Sequence, residues 1–175
     1  MSSRPSSSSS EGPESEECFR SVRRILDEVG ASWTVAGAVA ALEYRATKRT
    51  TTDLDILVSW NPELVAQLIA AGFDVRVFED EGQPHLLRAR NSVCAVDFII
   101  AGTDYQAIAI ERARDHLLAV EDVLVHKLIA WRPRDRDDVR SILSTGMAFD
   151  REYVQRWASE WGVEDRWREA LGWHA

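Results

Sequence analysis

Two cysteines, two lysines and no long apolar run are what this 175-residue chain has least of, and each scarcity excludes something. Cys18 stands beside the Ser-rich start and Cys94 inside an apolar stretch, so a disulfide framework is not expected and a cytoplasmic setting is. No segment approaches the roughly 20 apolar residues of a spanning helix, and the start has no apolar core of an export signal; no membrane role is expected. There is no internal repeat. The formal net charge of −8 argues against coating nucleic acid by bulk electrostatics, while leaving room for local basic patches. Of the 21 cationic residues only Lys48 and Lys127 are lysines. Arginine serves everywhere else, which marks Lys127 as chosen for its compact ammonium.

Residues 1–17 are almost wholly Ser, Pro, Gly and Glu, too poor in apolar groups to offset the entropy of ordering, and read as a disordered tail. Phe19, Val22, Ile25, Leu26 and Val29 then recur at helical spacing up to Gly30. The pattern continues as a strand at 33–36, a helix at 37–44, a strand at 53–59, a helix at 62–71 and a strand at 73–78. A loop at 80–84, a strand at 85–90, a tight turn at Asn91-Ser92 and an apolar strand at 93–100 follow. From Asp104 onward the periodicity is helical: 105–113, 120–131, 134–143, 150–161 and 165–171. The expected organisation is a mixed-sheet α/β core over 18–114 and a C-terminal helical region over 115–175 that completes a cleft.

The chemistry is concentrated in Arg49-Thr50-Thr51-Thr52-Asp53-Leu54-Asp55. Carboxylates at i and i+2 of a strand share a face about 7 Å apart, close enough to converge on one divalent ion. A core strand has no packing reason to carry them, and unpaired they would be costly to bury. Asp97 repeats the anomaly in a second apolar strand. Upstream, Gly37 ends a strand and opens a helix, where free backbone N–H groups form a natural anion site. A lone D-x-D is weak evidence, since Asp135-Arg136-Asp137 fits it too. The ordered combination of all these parts is far rarer. Lys127 lies in a helix with almost no polar face and needs an anion: a phosphate, or Asp135 or Asp138. His85, His116, His126 and His174 show no metal-ligand spacing. Trp157, Trp161 and Tyr153 read as core packing. Arg20, Arg23, Arg24, Arg112 and Arg114 read by default as solvated helix faces.

With these motifs the chain resembles the minimal nucleotidyltransferases related to DNA polymerase β, and most the AbiEii and MenT kind of toxin nucleotidyltransferase. Arg49, Thr51, Asp53 and Asp55 match the core motif and Asp97 the third carboxylate. Glu121-Asp122, Lys127, Ala130, Arg132-Pro133-Arg134-Asp135 and Asp138-Val139 match the later helix pair. The resemblance spans roughly residues 33–143. One departure is the turn Ala36-Gly37-Ala38, where the family has Gly followed by Gly or Ser.

The resemblance implies an α+β nucleotidyltransferase-fold mixed sheet flanked by helices, and a transfer of NMP from an NTP to a hydroxyl with release of pyrophosphate. It implies two Mg²⁺ ions, Mn²⁺ being an alternative, on Asp53, Asp55 and Asp97, which with Lys127 are the implied catalytic residues. Gly37, Arg49, Thr51 and Lys127 would bind the nucleotide, with Asp135 and Asp138 orienting Lys127. The implied acceptor is the 3′ end of tRNA and the implied partner an antitoxin protein. Two alternatives stand beside it. One is a noncatalytic nucleotide-, RNA- or protein-binding module, favoured by the altered turn. The other is the same transfer to a protein or small-molecule hydroxyl.

Overall fold

In the computed structural model, residues 13–47, 51, 54–92 and 94–173 are described, with side chains from Glu16 onward. Asp53 and Arg49 lie outside the described residues, as does the serine-rich start through residue 12. The expected tail is shorter than the composition suggested, because α1 spans Pro13–Glu28 and takes in residues 13–17. Proline suits a first helical position, where its missing N–H loses no bond, and the acidic Glu16 and Glu17 complement the positive helix end. The helix carries its basic face to water in i,i+4 pairs, Arg20 with Glu16, Arg23 with Asp27 and Arg24 with Glu28. Val22, Ile25 and Leu26 are buried on the opposite side.

β1 (Trp33–Val35) leads through Ala36 into α2 (Gly37–Tyr44), and β2 (Leu54–Val58) into α3 (Pro62–Ala70). Asn61 caps α3 by accepting the N–H of Glu63, with Pro62 at the first position. β3 (Asp74–Asp80) and β4 (Gln83–Arg90) form a hairpin, followed by β5 (Ala95–Ile100). The expected loop at 80–84 contracts to the two-residue turn Glu81-Gly82. Both residues have positive φ, 49° and 76°, the backbone that a tight hairpin between right-twisted strands favours. Pro84 falls outside the β5 register, at the irregularity after Phe78, so its missing N–H costs no central ladder bond.

The sheet order is β1-β2-β5-β4-β3, with β2 and β5 parallel and the other pairs antiparallel. Ile56, Val58, Val96, Phe98, Ile100, Leu87 and Ala89 alternate onto one face and are buried. Asp55, Leu57, Asp97, Ile99, Leu86 and Arg88 share the other face. Five helices follow: α4 (Asp104–Arg112), α5 (Val120–Ala130), α6 (Pro133–Leu143), α7 (Arg151–Glu160) and α8 (Glu164–Gly172). α5 is buried nearly all round and packs against α2, α6 and α7.

A further expectation is overturned. Cys18 of α1 and Cys94, at the entry to β5, are joined in a disulfide across 76 residues. Their sequence positions gave no hint of contact; the fold brings α1 to the β4–β5 turn. In a reducing compartment that bond would open.

Candidate active site

β2 and β5 run side by side in parallel with Asp55 opposite Asp97. Both carboxylates therefore stand on one face of the sheet, one strand spacing apart, about 5 Å. Asp55 backs directly onto the start of α2. The Ala36 N–H donates to the Asp55 carbonyl at 2.8 Å, and a Cβ on Gly37 would sit 1.9 Å from Asp55 Oδ2. Gly37 also holds φ at +60°, so both the space and the backbone call for glycine. The first N–H groups of α2 have no partner within the helix, and its positive end faces the Asp55 carboxylate.

Asp97 is held by two arginines of β4. Arg88 Nε donates to its Oδ2 at 3.2 Å, and Arg90 binds its other oxygen while also donating to the carbonyls of Val96 at 2.7 Å and Ala89 at 3.0 Å. Nothing in the spacing of the sequence pointed to these arginines. The available signal was turn length: an Asn91-Ser92 two-residue turn pairs Leu86 with Asp97, whereas the turn runs from Asn91 to Cys94 and pairs Arg88 with it. Asn91 closes that longer turn, its N–H donating to the Cys94 carbonyl at 2.9 Å and its side chain accepting the Cys94 N–H at 2.7 Å.

Behind this face lies a buried ion network. Lys127 Nζ sits 3.1 Å from Asp135 and 2.7 Å from Asp138, all three buried. Arg45, also buried, binds Asp138 and reaches Asp137 at 2.9 Å. Arg132 completes the chain, its Nε 2.6 Å and its backbone N–H 3.0 Å from Asp135. Three cations alternate with three carboxylates, so the cluster is close to neutral. Burial tends to raise the Asp135 pKa, but Arg132 hydrogen bonds and the Lys127 charge outweigh it and hold the group below its ordinary value. Arg132 is raised, chiefly by its hydrogen bond to Asp135 and further by the charges of Asp135, Asp55 and Asp138. That places its half-exposed guanidinium within the field of both the network and the candidate catalytic carboxylate. Trp131, left-handed at φ 49° and stacked on Trp173 at 5.8 Å, ends α5 and turns the chain to present Arg132.

The structure thus brings together Gly37, Asp55 and Asp97 on one side and Lys127, Asp135 and Asp138 on the other. Thr51 is half-buried. Arg45, Arg88, Arg90 and Arg132 complete the arrangement without having been singled out as site residues. The broad cavity between Trp33, Ser59, Ile110 and His116 lies at the opposite ends of β2 and β5 and holds none of these groups. Arg112 is not available to a ligand: it binds Asp122 at 3.0 Å and Glu121 at 3.1 Å, over the ring of Tyr153.

His126, beside Lys127, has its pKa pushed down to about 4, first by burial and then by the lysine's charge. The folded protein therefore refuses a proton that the unfolded chain accepts below about 6.5. Stability is full above that value and falls as pH drops toward 4, by about 2 kcal/mol once the ring's partial exposure is allowed for. Denaturant unfolding between pH 7 and 4.5 should show this decline, and His126→Gln should flatten it; an equal slope in both proteins would contradict it.

No protein-family model matches the sequence, and no curated protein sequence matches it. Solved structures do match. The solution structure of the antibiotic-resistance factor ANT(2'')-Ia aligns over 91% of this chain and 97% of that one, at 16% identity and a TM-score of 0.57. A crystal structure from H. pylori, described as a candidate nucleotidyltransferase, aligns over 76% of this chain and 68% of that one, at 15% identity and TM-score 0.50. The fold is the nucleotidyltransferase fold. A further match, JHP933 from Helicobacter pylori, has 15% identity and TM-score 0.49 over 77% of this chain, which spans 66% of the H. pylori protein's length. No helix among the described residues is long and apolar enough to cross a membrane.

Proposed function

We propose that this protein is a divalent-metal-dependent nucleotidyltransferase, moving NMP from an NTP to an acceptor hydroxyl with release of pyrophosphate. The observation that carries the reading is the register pair Asp55 and Asp97, set on one face against the Gly37 turn that opens α2. The carboxylates of Asp55 and Asp97, one strand spacing apart on one face, are hard oxygen donors that suit Mg²⁺ or Mn²⁺, and Asp53, two residues before Asp55, would supply a third in sequence. Divalent ions held there would offset triphosphate charge and ease deprotonation of the acceptor hydroxyl. The α2 N–H groups at Gly37, with Thr51 and Arg49, would hold phosphate oxygens. Asp97 would take the proton from the acceptor. Lys127, fixed between Asp135 and Asp138, would set the potential behind the phosphates and hold α5 and α6 in place, while Arg132 supplies the exposed cation at that wall.

The acceptor we propose is an RNA 3′ end, tRNA foremost, and the biological role that of a toxin paired with an antitoxin protein in the cytoplasm. Support for these finer statements comes from the motif resemblance alone. The test is incubation with Mg²⁺, α-labelled NTP and total tRNA: label enters RNA with the native protein and not with Asp97→Asn. Equal labelling by both would reject the assignment, and label in protein or a small molecule would move the acceptor. A noncatalytic binding module is the second reading, favoured by the two arginines that occupy Asp97. It predicts NTP binding that is independent of Mg²⁺, measured by calorimetry.

A further inference from the structure

The register of the sheet lines up a row across four strands. Asp55 of β2 stands opposite Asp97 of β5, Asp97 opposite Arg88 of β4, and Arg88 opposite Arg76 of β3. Two carboxylates pass directly into two guanidiniums along one face. The next row away from the turn, Leu57, Ile99, Leu86 and Phe78, is apolar, and its outermost member Phe78 is 37% exposed. Arg88 lies over the Phe78 ring, 5.4 Å from its centroid.

We propose that this open face of the β3–β4 hairpin is the docking surface for the acceptor, and that it selects a single-stranded RNA end over a cationic small molecule. The proposal rests on the transferase reading above and deepens it. Arg88 holds Asp97 through Nε alone, and among the described residues neither of its terminal amino groups has a hydrogen-bond partner. The guanidinium thus spans two sites: its inner edge fixes the carboxylate, and its outer fork meets solvent with the geometry that suits a phosphate. Arg76 extends the cationic track one strand outward; among the described residues it is tied only to Asp74, at 3.9 Å, with both side chains largely exposed. Phe78 offers a flat surface on which a base of any identity can stack. A strand whose 3′ hydroxyl lies at Asp97 would run its phosphates along Arg88 and Arg76. A polycationic acceptor would meet like charge on the same path. The patch is local, which is how a chain of net charge −8 keeps an anion-binding face.

The experiment is fluorescence anisotropy of the full chain with a labelled single-stranded RNA ending in a free 3′ hydroxyl, repeated over a salt series. Arg76→Gln with Arg88→Gln should weaken binding at least tenfold and reduce the salt slope by roughly 1.4, about 0.7 for each phosphate of a single strand no longer neutralised. Phe78→Ala should weaken binding with the salt slope unchanged. Arg76→Lys should keep most of the binding that Arg76→Gln loses, because Arg76 acts there as a charge alone, which a merely structural role for that arginine would not produce. Unchanged RNA affinity in the glutamine pair, with circular dichroism showing it folded, overturns the proposal. So does tighter binding of a polyamine than of RNA by the native protein. The transferase reading fails separately: a native protein that binds RNA on this face yet transfers no nucleotide keeps the surface and loses the enzyme.

Discussion

Lys127→Ala is expected to lower stability by roughly 3–5 kcal/mol, the cost of stripping one partner from a buried ion pair. The lysine ammonium contacts two carboxylates at once, Asp135 and Asp138, and both are fully buried. Its removal leaves Asp138 to Arg45 and Asp135 to Arg132, one cation short at the centre of the cluster. In a chain of this size the loss corresponds to a fall in Tm on the order of 10 °C. Lys127→Arg should not rescue it, because a planar fork cannot occupy the point between two carboxylates that a compact ammonium fills. Adding Asp138→Asn to Lys127→Ala should recover part of the loss by removing the stranded charge. Scanning calorimetry checks all three variants, and a Lys127→Ala shift of less than about 2 °C would show that the network does not hold α5 to α6.

Gly37→Ala should lower stability measurably and activity severely. An alanine at φ +60° costs about 1–2 kcal/mol in backbone strain, which a well-packed fold survives. The new methyl, however, would lie 1.9 Å from Asp55 Oδ2 and 2.7 Å from Asp55 Cβ, so turning the carboxylate alone does not clear it. The turn cannot retreat without breaking the bond from Ala36 N–H to the Asp55 carbonyl. The carboxylate must therefore move, and a displacement near 1 Å at a reacting centre costs on the order of 100-fold in rate. The expected result is a protein that still folds, melts several degrees below the native one and transfers nucleotide at about 1% of its rate. Retention of full activity in Gly37→Ala would mean that the Asp55 position seen here is not the working one.

Much of the fold and of the candidate site is legible in the amino-acid sequence, and the parts that are not share a cause. Helix and strand periodicities are local, so α2 falls at Gly37–Tyr44 and α5 at Val120–Ala130 within a residue of expectation. The D-x-D and Asp97 anomalies are also readable, because a charge in an apolar strand is visible without its neighbours. What stays hidden depends on pairing across distance. Cys18 and Cys94 are separated by 76 residues, and Arg45 lies over ninety residues from Asp137 and Asp138. The Arg88 pairing is missed for a subtler reason: a change of two residues in turn length slides an antiparallel register by two, leaving the face of each residue correct and its partner wrong. The acidic start of α6 illustrates the opposite case. Asp135, readable in sequence as a partner for Lys127, does contact it and caps the Arg132 N–H as well, a second task the sequence does not show.

The central claim is that the Asp55–Asp97 face, next to the Gly37 turn, carries out metal-dependent transfer from an NTP. Its most direct test is pyrophosphate release by the purified full chain, supplied with each NTP and total RNA, with Mg²⁺ and with EDTA. Asp55→Asn is the matched control, since it removes one charge while keeping the shape that packs against Gly37. Release that requires Mg²⁺ and falls at least a thousandfold in Asp55→Asn is the predicted result. Pyrophosphate release that persists in EDTA, or that Asp55→Asn leaves intact, would contradict it.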